Sequence, residues 1–159
     1  MPDQPRAPPA PEALRAYAEG FNRSLTLRHF GATLEFPSAE LIRATLQVQP
    51  AQRGGMGDGA LVNGAVIAGL FDLVVGCTGA LVDPLRRSAT LQLSMSFERP
   101  VDGDTITCEG WVDRAGSRML FSSAVVRNAA GVVCARCQGV VRITTLPWAD
   151  EASPAVPPK

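Results

Sequence analysis

Histidine occurs once in this chain, at position 29, and no basic run is longer than Arg86-Arg87. The first scarcity leaves no Ser-His-Asp triad to be built around the apolar middle of the sequence. The second, in a chain whose 15 basic and 15 acidic residues cancel, leaves nothing that announces a phosphate-backbone binder, so nucleic acid is not an expected partner. Metal ligands are equally sparse. Of the four cysteines only Cys134 and Cys137 are close, and with no second pair and one histidine a zinc site lacks ligands. A redox CxxC usually opens a helix, whereas Cys134-Ala-Arg-Cys137 lies in a β-rich run. The thiols read as reduced strand residues of a cytoplasmic protein, and neither a metal nor a cofactor is expected.

Other signals are missing as well. The glycine-rich stretch 50–59 lacks the lysine and the serine or threonine of a phosphate loop. Residues 1–10 contain no apolar h-region, so they read as a disordered leader rather than a signal peptide, and 148–159 as a flexible tail. The interval 11–147 has the length of a single domain with a substantial core.

What is present is strong patterning. Leu14, Tyr17, Phe21 and Leu25 recur at helical spacing after Pro11, a helix-start proline, and Gly31 ends the region. Residues 32–36 form a short strand closed by Pro37. Residues 40–49 alternate, with Ile42, Ala44, Leu46 and Val48 on one face. Four more strands are expected at 88–97, 105–113, 118–127 and 132–144. The Asp, Asn and Gly chemistry of their connections predicts an antiparallel meander. In the first of them Leu91, Leu93, Met95 and Phe97 oppose Thr90, Gln92, Ser94 and Ser96.

Between the second and third strands lies the segment that raises the functional question. Residues 61–82 are almost uniformly apolar, yet carry Asn63 at the start and Asp72 in the middle. Asn63 is a helix N-cap, and a helix from about 64 to 81 with apolar residues all round should be wrapped by protein on every side. The length also suits a bilayer, but a mid-membrane aspartate costs about 3 kcal/mol and the strands that follow alternate as a globular sheet does, so no membrane is expected. A buried carboxylate must then be paired in a structural network or used in chemistry. The fold class expected is α+β, an antiparallel sheet wrapped around a long central helix.

This order of elements, with Asn63-Gly64-Ala65 and Asp72 nine positions after Asn63, resembles the hotdog fold of the 4-hydroxybenzoyl-CoA thioesterase superfamily and is most similar to its PaaI-like acyl-CoA thioesterases. Ala89-Thr90-Leu91-Gln92, Phe97-Glu98-Arg99-Pro100 and Gly131-Val-Val-Cys-Ala-Arg carry the rest of the likeness, which spans about 40–144. The resemblance implies that Asp72 is the catalytic acid, as nucleophile or general base. It implies that the Gly64 N–H binds the thioester oxygen and that Thr90 helps hold the hydrolytic water. It sets Arg99, Ser117 and Arg118 at strand ends where relatives bind coenzyme A phosphates. Two positions depart. The family histidine is Asn63, which either caps the helix or donates to substrate. The Asn or Gln that precedes the acid by about fifteen residues falls on Gly57, next to Asp58. The lack of a core histidine argues against a β-hydroxyacyl dehydratase. The implied substrate is an acyl-CoA, and the alternative is a non-catalytic hotdog that binds acyl-CoA as a sensor.

Spacing adds one constraint. Nine residues of helix separate Asn63 from Asp72, about 13 Å at 1.5 Å per residue. If the carboxylate and the helix-start donor serve one scissile bond, they must come from different subunits, so a homodimer, or a tetramer built from it, is expected.

Overall fold

In the computed structural model, residues 7–54, 59 and 61–148 are described. Helix α1 (Pro11–Asn22) starts on its proline and buries Leu14 and Tyr17. The helical region expected up to Gly31 is in fact two helices. The chain breaks at Arg23-Ser24, and the Ser24 hydroxyl caps α2 (Leu25–Phe30) by accepting from Leu27 N–H. The break rotates the apolar stripe. Leu25, expected on the packed face, is 77% exposed, and Leu27 is buried instead. Gly31 closes α2 at φ 77°, the left-handed cap that glycine adopts without strain.

The strands are β1 (Ala32–Ser38), β2 (Leu41–Gln47), β3 (Arg86–Phe97), β4 (Thr105–Ala115), β5 (Met119–Arg127) and β6 (Val133–Pro147). They form one antiparallel sheet in the order β1-β2-β4-β5-β6-β3. The expected four-strand meander therefore holds for β4-β5-β6 and fails for β3, which lies beside β6 at the far edge. The reason is the β3–β4 connection. It is too long for a tight hairpin, contains Pro100, and is drawn to other partners: Glu98 and Arg99 N–H both donate to Cys134 O, and Val62 N–H donates to Val101 O.

The sheet curls around α3 (Gly64–Cys77), which continues as a tighter turn of 3₁₀ helix over Thr78–Leu81. Ile67, Leu70, Phe71, Val74 and Val75 sink into the concave side of the sheet. Full burial of each such side chain is worth about 2 kcal/mol. Gly64–Leu81 is apolar and long enough to cross a membrane, but more than half of it is buried within the domain. At the open end of the sheet Tyr17 stacks with Phe21, meets Phe36 edge-on and lies 4.4 Å from the Trp148 ring, so the first residue of the expected tail is packed.

Candidate functional site

The site is built around the start of α3. The chain entering it is pinned on several sides. Asn63 N–H donates to Gln52 O, Gly54 N–H to Leu61 O, and the Arg53 guanidinium grips the Asp104 carboxylate (2.6 Å) and the Gly103 carbonyl (3.0 Å). Asn63 is the N-cap. Its Oδ1 accepts from Ala65 N–H at 2.8 Å, while its carbonyl accepts from Val66 and Ile67. That leaves Gly64 N–H as the first-turn amide with no partner among the described residues, at an exposed position and at the positive end of the helix. Leu61, Gly64, Ile67, Phe97 and Arg99 line a shallow cleft of about 390 Å³ there, so Arg99 and the free amide share one opening.

Asp72 lies two turns along the helix. It is exposed, and its carboxylate joins no hydrogen bond or ion pair with another described residue. This corrects the expectation of a helix covered on every side. Ala65, Ala68, Gly69, Asp72 and Gly76 share a face that the single chain leaves wholly or partly uncovered. Small apolar residues on an open face and on a packed face read alike in a hydropathy pattern, which is why the opening was not legible. The carboxylate is tolerated because water reaches it.

Thr90 is on the helix-facing side of β3, not opposite Leu93 and Phe97 as alternation predicted. A bulge at Leu91, between the pairs Thr90↔Val141 and Gln92↔Val140, reverses the side-chain phase. A Cβ on Gly76 would lie 2.9 Å from Thr90 Oγ1, and one on Gly64 would meet the Phe97 ring at 3.8 Å. The Thr90 hydroxyl thus rests on the helix one turn past Asp72, with no hydrogen-bond partner among the described residues.

The remaining candidates are scattered. Ser117 and Arg118 lie in the β4–β5 turn, where Arg118 O accepts from Ile143 N–H, at the end of the sheet where β3 begins. Arg99 is at the other end. Asp58, like Gly57, lies outside the described residues. Cys134 and Cys137 are strand residues of β6, and all four thiols are buried and free. Burial pushes the Cys77 thiol up to about 12 and Cys137 up to about 11, with the Asp72 carboxylate adding to both, so neither is a thiolate at neutral pH. Among the described residues no group of three His, Cys, Asp or Glu could hold a metal ion.

The sequence reading missed Ser88. Ser88 Oγ donates to Gly76 O at 2.6 Å. The one signal available was Gly76 and Gly79 inside a helix, each unfavourable there by about 1 kcal/mol relative to alanine. They are needed for close approach: a Cβ on Gly79 would fall 2.5 Å from Ser88.

A six-stranded antiparallel sheet curled around one long helix is the hotdog fold, and the comparisons agree. Residues 59–135 match the family model of the Thioesterase superfamily. Among solved structures the chain is similar to PaaI of Escherichia coli from the phenylacetic acid degradation operon (TM-score 0.74, 14% identity, covering 86% of this chain and 97% of that one). A thioesterase-superfamily-related protein from Shewanella oneidensis gives a TM-score of 0.74 at 22% identity, covering 84% and 96%. A thioesterase from Haemophilus influenzae gives 0.73 at 16%, covering 84% and 91%. At these identities the structural likeness speaks for the fold alone. No curated protein matches the sequence.

Proposed function

We propose that this protein is a PaaI-like acyl-CoA thioesterase whose catalytic site is shared between two copies of the chain. One observation carries the reading. The Asp72 carboxylate, the Thr90 hydroxyl and the Gly64 N–H each lack a partner among the described residues, and all three border the uncovered side of α3. Asp72 accepts a proton from a water held with Thr90, and the resulting hydroxide attacks the thioester carbonyl. Negative charge moves to the carbonyl oxygen, which the Gly64 N–H and the helix start stabilise. Collapse expels the coenzyme A thiolate, which takes up a proton, and releases the carboxylic acid.

Within one chain these groups are too far apart. Gly64 faces Phe97 and Gly76 faces Thr90, residues seven apart on β3, or about 20 Å of strand. A second copy related by a two-fold axis perpendicular to β3, so that the two β3 strands run antiparallel, brings the Gly64 of one chain to the Asp72 and Thr90 of the other. The two sheet edges support that choice. At β1 the Asn22 side chain occupies both backbone groups of Leu34, whereas β3 is open and carries exposed Leu91, Met95 and Phe97. Arg99, beside Gly64, is the guanidinium we assign to the coenzyme A phosphates. Four free, buried thiols fit a reducing compartment, which supports a cytoplasmic location.

The test is release of free thiol from short, medium and aromatic acyl-CoAs by wild-type protein and by Asp72→Asn. Turnover lost in a folded variant supports the thioesterase. No turnover with any ester, with acyl-CoA still bound, replaces it with the sensor.

A further inference from the structure

We infer that Phe30, on a helix outside the 59–135 family region, sets which acyl groups the site accepts and restricts them to short ones. The inference rests on the thioesterase reading and deepens it. Gly69 lies in the interior of α3, where glycine is unfavourable and needs a packing reason. The reason is the Phe30 ring. A Cβ on Gly69 would lie 3.2 and 3.3 Å from Cε2 and Cζ of that ring, so the ring rests on bare helix backbone. Phe30 is half-buried against the core, and its backbone is held as well. The Gln52 side chain donates to Phe30 O at 2.6 Å and accepts from Gln49 N–H at 2.9 Å, while Gln52 O accepts from Asn63 N–H. One residue thus ties the end of α2 to the cap of α3.

Gly69, Asp72 and Gly76 lie within about 60° of one another around α3, with successive rises of about 4.5 and 6 Å. The Asp72 carboxylate is therefore bracketed on the open face. The Phe30 ring stands one turn toward the helix start, and the Thr90 hydroxyl one turn toward its end. Thr90 takes the water. The thioester oxygen goes to the Gly64 N–H of the other chain, and the sulfur carries coenzyme A outward to Arg99 in the cleft beside that amide. The acyl group is left with the side of Asp72 that Phe30 closes. Its floor, Ala65, Ala68 and Gly69, offers no polar side chain, which suits a hydrocarbon. Pairing Gly64 of one chain with Asp72 of the other sets the two-fold beside Ala68. An acyl chain running from Asp72 toward that axis meets Phe30 within about 4.5 Å of helix. A few carbons fit, and a longer chain strikes the ring.

The experiment compares kcat/KM on acetyl-, butyryl-, octanoyl- and palmitoyl-CoA for wild type, Phe30→Ala, Phe30→Leu and Phe30→Trp, with thermal unfolding to confirm that each is folded. Wild type should prefer butyryl-CoA to octanoyl-CoA by about tenfold or more. Phe30→Ala should raise the octanoyl-to-butyryl ratio by about tenfold, Phe30→Leu should raise it by less, and Phe30→Trp should lower it. Leucine keeps apolar packing at the site, so it tests the wall if the alanine variant does not fold. A wild type that takes octanoyl-CoA as readily as butyryl-CoA, or a ratio that is the same in every folded variant, overturns the inference. If wild type hydrolyses none of the four esters, the thioesterase reading falls by itself, and calorimetric binding of the same esters decides the Phe30 wall. Tighter octanoyl-CoA binding by Phe30→Ala or Phe30→Leu than by wild type supports it. No binding, or no change among the variants, overturns it.

Discussion

Asn22 satisfies both backbone groups of Leu34 with one side-chain amide. Its Nδ2 donates to Leu34 O at 2.8 Å and its Oδ1 accepts from Leu34 N–H at 2.7 Å. The contact imitates a neighbouring strand, so the β1 edge is finished by the last residue of α1. Asn22→Ala should lose about 2 kcal/mol of stability and expose a pairing edge. Urea unfolding and light scattering check it. Unchanged stability with no new self-association would show that the amide is dispensable.

Gly64 occupies the first helical position, where proline is well accommodated and its missing N–H breaks no helix bond. Asn63, at φ −64° and ψ 138°, already has the conformation that precedes proline. Gly64→Pro should therefore fold with equal or slightly higher stability while losing the oxyanion donor, and kcat should drop by about 10² to 10³. Thermal unfolding alongside steady-state kinetics separates the two effects. A Gly64→Pro protein with wild-type kcat would remove the amide from the mechanism.

A site shared between chains also predicts complementation. Asp72→Asn and Gly64→Pro should each be nearly inactive alone. Unfolded together in equal amounts and refolded, they should recover about a quarter of wild-type activity. Half the dimers are then hybrids, and each hybrid has one site free of both changes. Recovery no greater than the sum of the two single variants would argue for sites contained within one chain.

The buried acids of the core make stability sensitive to alkali. Cys77 is raised from 9.0 to about 12 and Cys137 to about 11, both chiefly by burial, and burial raises Tyr17 as well. Groups whose folded pKa lies above the unfolded value stabilise fully below the unfolded value and lose that contribution as pH rises toward the folded one. Stability should be flat from this source up to about pH 8 and decline from about pH 9 toward 11. Denaturant midpoints across that range check it, and Cys77→Ala should shallow the decline. A midpoint constant to pH 11 would contradict the burial argument.

How much of this was legible in the sequence depends on the range of the interaction responsible. Alternation placed β2 and β4 to β6 to within a few residues, because the side-chain period of two follows from local backbone geometry. Asn63 as a cap was equally readable, since the bond to Ala65 N–H spans two residues. Thr90 was identified but set on the wrong face, because the Leu91 bulge comes from pairing with a strand some fifty residues away. Ser88 gave no cue at all. On an alternating strand a serine that ties a helix carbonyl reads the same as one facing water.

The chain by itself determined its helices and strands, its glycine notches at Gly76 and Gly79, and the single carboxylate of the apolar helix, all consequences of local periodicity and side-chain chemistry. The tertiary structure alone decided that β3 lies beside β6 rather than β4, that one face of α3 stays open, and that Thr90 turns inward to meet it. Those outcomes rest on contacts between segments far apart in sequence, where the gain from burying one arrangement over another is settled by the whole fold and by no window of residues within it.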